Sequence, residues 1–181
     1  MAHRDADERK RRFDRIYAET YSPLRAYARR RCTPDVAQDI VAETFLVAWR
    51  RLDEVPENAL PWLYGVARRA IANARRGARR ADALAQHAAA SLAPADARDI
   101  ADRLGEAELI RRALASLREQ DREAVMLVAW EGLGPADAAR AAGCSRPAFA
   151  VRMHRARKRL AIALAAAEIP YEIRGTTVEV P

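Results

Sequence analysis

Cysteine is scarce in this chain, and clustered metal ligands are missing altogether. Cys32 and Cys144 stand far apart with no second Cys or paired His at ligand spacing, so neither a disulfide framework nor a metal site is expected. His3, His87 and His154 are isolated, no glycine-rich phosphate loop follows a strand, and no Ser, His and Asp set stands in a motif. The chain is therefore not expected to be an enzyme or to carry a cofactor. Long apolar runs are absent too: no stretch of about 18 residues could span a bilayer. The first residues, with Arg4, Arg9 and Lys10 among acids, lack the apolar centre of a signal peptide. A cytoplasmic protein without membrane insertion is the expectation. Aromatics make up 6% of the residues, and Ala dominates the 50% that are hydrophobic, which suits small helix-packed cores better than a large sheet.

What the chain has in excess is positive charge, and the charge is clustered. The formal net charge is +7, a balance that favours a polyanionic partner when the basic residues are concentrated. Between Arg68 and Arg80 lie six Arg and no acid; between Ser145 and Arg159 lie five Arg, one Lys and again no acid. Acids gather elsewhere, from Asp35 to Glu43 and from Glu119 to Glu123.

Apolar spacing predicts helices throughout. The first runs from Ala6 to Arg31 with Phe13, Ile16, Tyr17, Leu24 and Tyr27 on one face, and Pro23 predicts a kink or break. Thr33 and Pro34 read as an N-cap and first turn opening a helix to Leu52, with Val36, Ile40, Phe45, Ala48, Trp49 and Leu52 as its buried stripe. Asp53 to Pro61, with Pro56 and Asn58, has loop composition. A third helix begins near Pro61 or Trp62 and enters the Arg-rich stretch, with Gly77 as a weak point.

The fold class expected is all-α, as two small helical domains over residues 6–80 and 104–166. Residues 81–103, rich in Ala and Asp with Pro94, read as a linker with transient helix. Residues 167–181 read as a short β-hairpin around Gly175 and Thr176 or as a disordered tail. The second domain holds helical patterns over Leu104–Leu117 and Glu119–Trp130, then a pair separated by Ala142-Gly143-Cys144-Ser145.

That pair is the most informative stretch. Ala138, Ala139 and Ala142 make one helix thin enough for close crossing, Gly143 allows a sharp turn, and Ser145 caps the next helix, which together specify a helix-turn-helix. Phe149, Met153, Ala156 and Leu160 form the buried stripe of the second helix, leaving Arg146, Arg152, Arg155, Arg157 and Lys158 on or near its other faces. Such a helix can enter a major groove, its first turns at base edges and its later basic residues at phosphates.

Four segments carry a resemblance to a known family: DIVAETFLVAWRRL (Asp39 to Leu52), PWLYGVARRAIANARR (Pro61 to Arg76), LREQDREAVMLVAWEGL (Leu117 to Leu133) and GCSRPAFAVRMHRARKRL (Gly143 to Leu160). In this order and spacing they resemble the extracytoplasmic-function sigma factors, the smallest bacterial sigma subunits. The resemblance implies a region 2 domain and a region 4 domain that direct RNA polymerase core to promoters. Asp39, Ala42, Glu43 and Leu46 would meet the clamp helices of the largest polymerase subunit. Glu57, Asn58 and Ala59 would line a pocket for an unstacked −10 base, with Trp62 and Tyr64 to stack and Arg68, Arg69, Arg75 and Arg76, followed by Arg79 and Arg80, at phosphates. Ser145, Arg146, Ala148, Arg152, Arg155, Arg157 and Lys158 would meet the −35 element, while apolar faces near Val125 to Trp130 would hold the polymerase flap. Members of the family are often sequestered by an anti-sigma partner, for which the polymerase-facing surfaces would serve.

Several positions depart from the family pattern. Ala42 stands where Gln is common, with Gln38 one turn earlier as a substitute, and Arg69 stands where Asn is common. Pro147, Ala150 and Val151 replace residues that are usually polar or, at the first, Gly, which shifts the expected −35 recognition toward Arg146, Arg152, phosphates and DNA shape. The rival reading is a free-standing helix-turn-helix regulator that binds DNA without polymerase.

Overall fold

The computed structural model describes residues 2–88 and 106–166, with the side chains of 5–78, 80 and 109–166. The described residues hold seven α-helices and one 3-10 turn and fall into two compact units, Met1–Ala89 and Ala90–Pro181.

In the first unit α1 (Ala2–Arg29), α2 (Pro34–Arg50) and α3 (Ala59–Ala88) pack against one another. Leu24, Tyr27, Ile40, Phe45, Leu52, Leu63 and Ile71 build the shared core, and the buried rings of Tyr27 and Tyr64 stack 4.5 Å apart at 21°. The two buried threonine hydroxyls are satisfied within their own helices, Thr44 Oγ1 donating to the Ile40 carbonyl at 2.7 Å and Thr20 Oγ1 to that of Ile16 at 2.5 Å.

Three expectations about this unit change. Pro23 neither breaks α1 nor ends it; the bond it forfeits is to the carbonyl of exposed Glu19, where water can substitute, while buried Thr20, Leu24 and Tyr27 hold the helix down. The buried stripe of α2 is Ala37, Ile40, Val41, Thr44, Phe45 and Ala48, whereas Val36 and Trp49 are exposed. Gly77 does not interrupt α3, which starts at Ala59 and continues through the Ala-rich stretch to Ala88, so 81–88 is helical. The rest of the expected linker, and the hairpin or tail expected at 167–181, lie outside the described residues.

A short connection joins α2 to α3. The chain leaves α2 through a 3-10 turn, Leu52–Glu54, and Leu52 and Val55 plunge into the core while Asp53, Glu54, Glu57 and Asn58 face water. Two apolar anchors therefore hold the base of a polar loop.

In the second unit α4 (Glu106–Ala115), α5 (Glu119–Ala129), α6 (Pro135–Ala142) and α7 (Arg146–Ala165) surround Leu117, Leu127, Phe149, Met153, Ala156 and Leu160. The expected helix-turn-helix is α6 and α7. Ala138, Ala139 and Ala142 are buried where the helices cross, and Gly143 takes the left-handed conformation, φ 67° and ψ 39°, at the end of α6. The Cys144 N–H reaches back to the Ala139 carbonyl at 3.0 Å, which satisfies an end-of-helix acceptor. Ser145 Oγ then accepts from the Ala148 N–H at 3.3 Å, capping α7 with Pro147 in its first turn.

Candidate polymerase and nucleic-acid interfaces

Helical geometry gives α2 one outer face. Asp35, Asp39, Ala42, Glu43 and Leu46 recur at three- and four-residue steps and are all exposed, Leu46 at 47%. The four residues expected to meet polymerase thus share one stripe, acidic for most of its length and apolar at its end. Beside it stands an aromatic ledge that the spacing placed in the core. Tyr17 is 42% exposed and Trp49 41%; Phe13 meets Trp49 edge-on at 5.2 Å and Tyr17 lies 4.6 Å from Phe45. These rings gather where α1 meets α2, with Phe45 buried and Tyr17 and Trp49 open to solvent.

The loop and α3 form a second surface. Glu57 and Asn58 are exposed as expected, but Ala59 is buried as the first residue of α3 and Tyr64, 2% exposed, is committed to its stack on Tyr27. Ala59 and Tyr64 therefore belong to the core and leave half-buried Trp62 as the aromatic at this edge. Five of the six arginines divide between two faces. Trp62, Arg69, Asn73, Arg76 and Arg80 follow one line along the helix, and the last four are exposed. Arg76 donates to Asn73 Oδ1, and Arg80 Nε donates to the Arg76 carbonyl at 3.3 Å, so this line is an ordered basic strip. Arg68 and Arg75 are half-buried on the adjoining face, where Arg75 donates to the Arg31 carbonyl at 3.0 Å and closes the α1–α2 turn. Arg79 belongs to α3, but its side chain is not among those described. Cys32 sits in the same corner; burial raises its thiol pKa, with the charges of Arg75 and Arg31 pulling the other way.

Two arginines that motif reading passed over bond to the loop. Arg9 of α1 donates to both carboxylate oxygens of Asp53, at 2.9 and 2.8 Å, and to the Trp49 carbonyl at 3.4 Å. Arg12 donates to the Val55 carbonyl at 2.6 Å in a partly buried contact. Within the loop Arg51 Nε donates to Glu54 Oε1 at 2.9 Å and keeps that carboxyl below the usual carboxylate range. The basic run Arg9 to Arg12 was the available signal, but only the fold shows that it faces a loop more than forty residues away.

In the second unit, an open cleft of about 780 Å³ runs between the start of α5 and the outer side of α7. Ala148, Arg152 and Arg155 line it from α7, joined by Arg118 just before α5 and Gln120 within it, which the sequence had not marked because they adjoin an acidic run. At its floor Asp121, buried, pairs with Arg159 at 2.5 Å, a contact that ties α5 to α7 and neutralises one arginine. Lys158 is exposed at the outermost line. Arg146 and Arg157 stand on the opposite flank of α7 with Ala150 and His154, at steps of four, four and three. Arg157 is half-buried, and its Nε finds no acceptor among the described residues. Of the apolar face expected at the flap, Val125, Met126 and Leu127 are buried against the other helices of this unit; Trp130 is exposed.

The second unit is thus a helix-turn-helix module with a basic cleft, of the DNA-binding class. Two family models match the chain: "Sigma-70 region 2" over residues 16–81 and "Sigma-70, region 4" over residues 107–160. It is 30% identical over 139 residues to "RNA polymerase sigma factor NccH" of Alcaligenes xylosoxydans xylosoxydans, covering 72% of this chain and 74% of that one. Among solved structures it resembles the sigma factor RpoE in complex with the anti-sigma factor NepR from Bartonella quintana, with TM-score 0.60, 27% identity, and 84% of this chain and 96% of that chain covered. It also resembles CnrH in complex with the cytosolic domain of CnrY, with TM-score 0.60, 26% identity, and 87% and 90% covered. The chain belongs to the sigma-70 family of RNA polymerase sigma factors, among its extracytoplasmic-function members. No helix among the described residues is long and apolar enough to cross a membrane.

Proposed function

We propose a residue-level division of labour for this sigma factor, as a non-enzymatic subunit acting in the cytoplasm. Asp39, Ala42, Glu43 and Leu46 on the outer face of α2 dock on the clamp helices of polymerase, with the Tyr17 and Trp49 ledge extending the contact. Glu57, Asn58 and Trp62 receive an unstacked −10 base, while Arg69, Arg76 and Arg80 run along the adjoining phosphates. In the second unit Ala148, Arg152 and Arg155, with Ser145 and Lys158 beside them, meet the −35 duplex, Arg146 and Arg157 standing on the opposite flank; Trp130 meets the flap.

The observation that carries this reading is the line on α3. Trp62 begins it beside the loop and Arg69, Asn73, Arg76 and Arg80 continue it, so a base platform and a backbone track lie end to end. Because both units belong to one chain, once one holds its element the effective concentration of the other rises, so neither need bind tightly alone. RpoE and CnrH are each solved with a binding partner, NepR and the cytosolic domain of CnrY; an anti-sigma partner of this chain would cover the α2 face and the aromatic ledge.

Run-off transcription from random promoter fragments with purified polymerase core tests the proposal. Start sites preceded by a two-part motif are expected only when the chain is added, and Glu43→Lys is expected to remove them by blocking association with core.

A further inference from the structure

We infer that Arg9 and Arg12 are positioning residues for −10 base capture, holding the α2–α3 loop in its receiving conformation. This rests on the loop's proposed role in capture and adds the element that organises it. Apart from its single 3-10 turn, the loop has no helical or strand ladder of its own. Its apolar anchors, Leu52 and Val55, fix how deep the chain sits but not how its polar rim is turned, because burial is non-directional. Hydrogen bonds supply the direction. Arg12 reaches from α1 to the Val55 carbonyl at 2.6 Å, two residues before Glu57, and Arg9 takes Asp53 in a two-oxygen grip while bonding the Trp49 carbonyl at the end of α2.

Residues 9 and 12 stand three apart on one face of α1. Lys10, between them, pairs instead with Asp14 at 2.7 Å, and Arg11 is exposed. Two of the four basic residues in the run are therefore turned onto the loop, Arg9 at Trp49 and within the 3-10 turn at Asp53, Arg12 just after it at Val55. A pocket that is already shaped when a base unstacks spares the ordering cost at the moment of capture. Arg12 is the stronger element, because its contact is partly buried; the Arg9 pair lies at the surface, with Asp53 81% exposed, and is screened by salt.

The test uses holoenzyme assembled from the full chain and polymerase core, on a promoter selected by run-off transcription. It compares the rate of strand opening at the −10 element, read by permanganate reactivity or 2-aminopurine fluorescence, with core affinity and with upstream protection of the duplex. R12A is expected to slow opening about tenfold, the worth of one charge-assisted hydrogen bond, with core affinity and upstream protection unchanged. R12K, which keeps a cationic donor, is expected to recover most of the rate. R9A is expected to slow opening about twofold at low salt, and the exchanged pair R9D/D53R to recover it. Opening by R12A at the wild-type rate overturns the inference. So does loss of opening that only follows lost core affinity or folded fraction, or a failure of R12K to rescue. Should R12A not fold, the R9A and R9D/D53R comparison decides by the same criteria. Absence of promoter-specific opening by the wild-type holoenzyme would instead sink the reading of the loop as a capture element, before any variant is compared.

Discussion

The two units build their basic surfaces by different means. In the second unit the surface is a helix, and everything that orients it is local: the Gly143 turn, the Ser145 cap and a buried stripe from Phe149 to Leu164. In the first unit the expected base-receiving element is a loop whose shape depends on residues far away in sequence, Arg9 and Arg12 on α1 and the anchors Leu52 and Val55. A groove-reading helix can be specified by one contiguous motif. A loop meant to accept a displaced base needs support from a neighbouring helix.

The contrast can be sharpened by substitutions of decreasing consequence. Tyr64→Ala and Phe149→Ala each empty the centre of one unit and should cost about 3–5 kcal/mol. Hydrogen exchange should show lost protection confined to residues of the first unit for the former and of the second for the latter. Gly143→Ala places a Cβ on a left-handed residue and should cost about 1–2 kcal/mol in urea unfolding, with upstream DNA protection weakened and opening chemistry at −10 spared. Arg75→Ala and Arg76→Ala, neighbours in sequence, should separate cleanly. The first removes the bond to the Arg31 carbonyl and about 1 kcal/mol of stability, measured by thermal unfolding. The second leaves stability unchanged and weakens DNA binding at all sequences. Arg155→Ala should flatten the log–log salt dependence of holoenzyme binding by about 0.9. Ala150→Ser, on the flank of α7 away from the cleft, should leave the −35 preference unchanged in sequencing of selected promoters.

Local chemistry was legible in the sequence and assembly was not. The helix-turn-helix could be read residue by residue because apolar spacing, a glycine turn and a hydroxyl cap act within a few residues. The outer face of α2 came from the family resemblance, since spacing alone put Val36 and Trp49 in its buried stripe and both are exposed. Where two helices share aromatic residues, periodicity located the stripe but not its depth: Phe45 went inward while Tyr17 and Trp49 stopped at the rim. The Arg-rich run on α3 looked uniform until its pitch divided Arg69, Arg76 and Arg80 from Arg68 and Arg75. Arg118 and Gln120 were hidden by acidic neighbours, and Arg9 and Arg12 by their distance from the loop, since a contact across more than forty residues leaves no local trace.

Footprinting of the holoenzyme on a selected promoter, combined with permanganate probing, tests the two-surface account most directly. The double variant R152A/R155A should erase upstream protection while strands, once engaged, still open at −10; R69A/R76A should suppress opening while upstream protection persists. If both variants erased the same patch of DNA, or neither changed any, the assignment of separate promoter elements to the two units would be wrong.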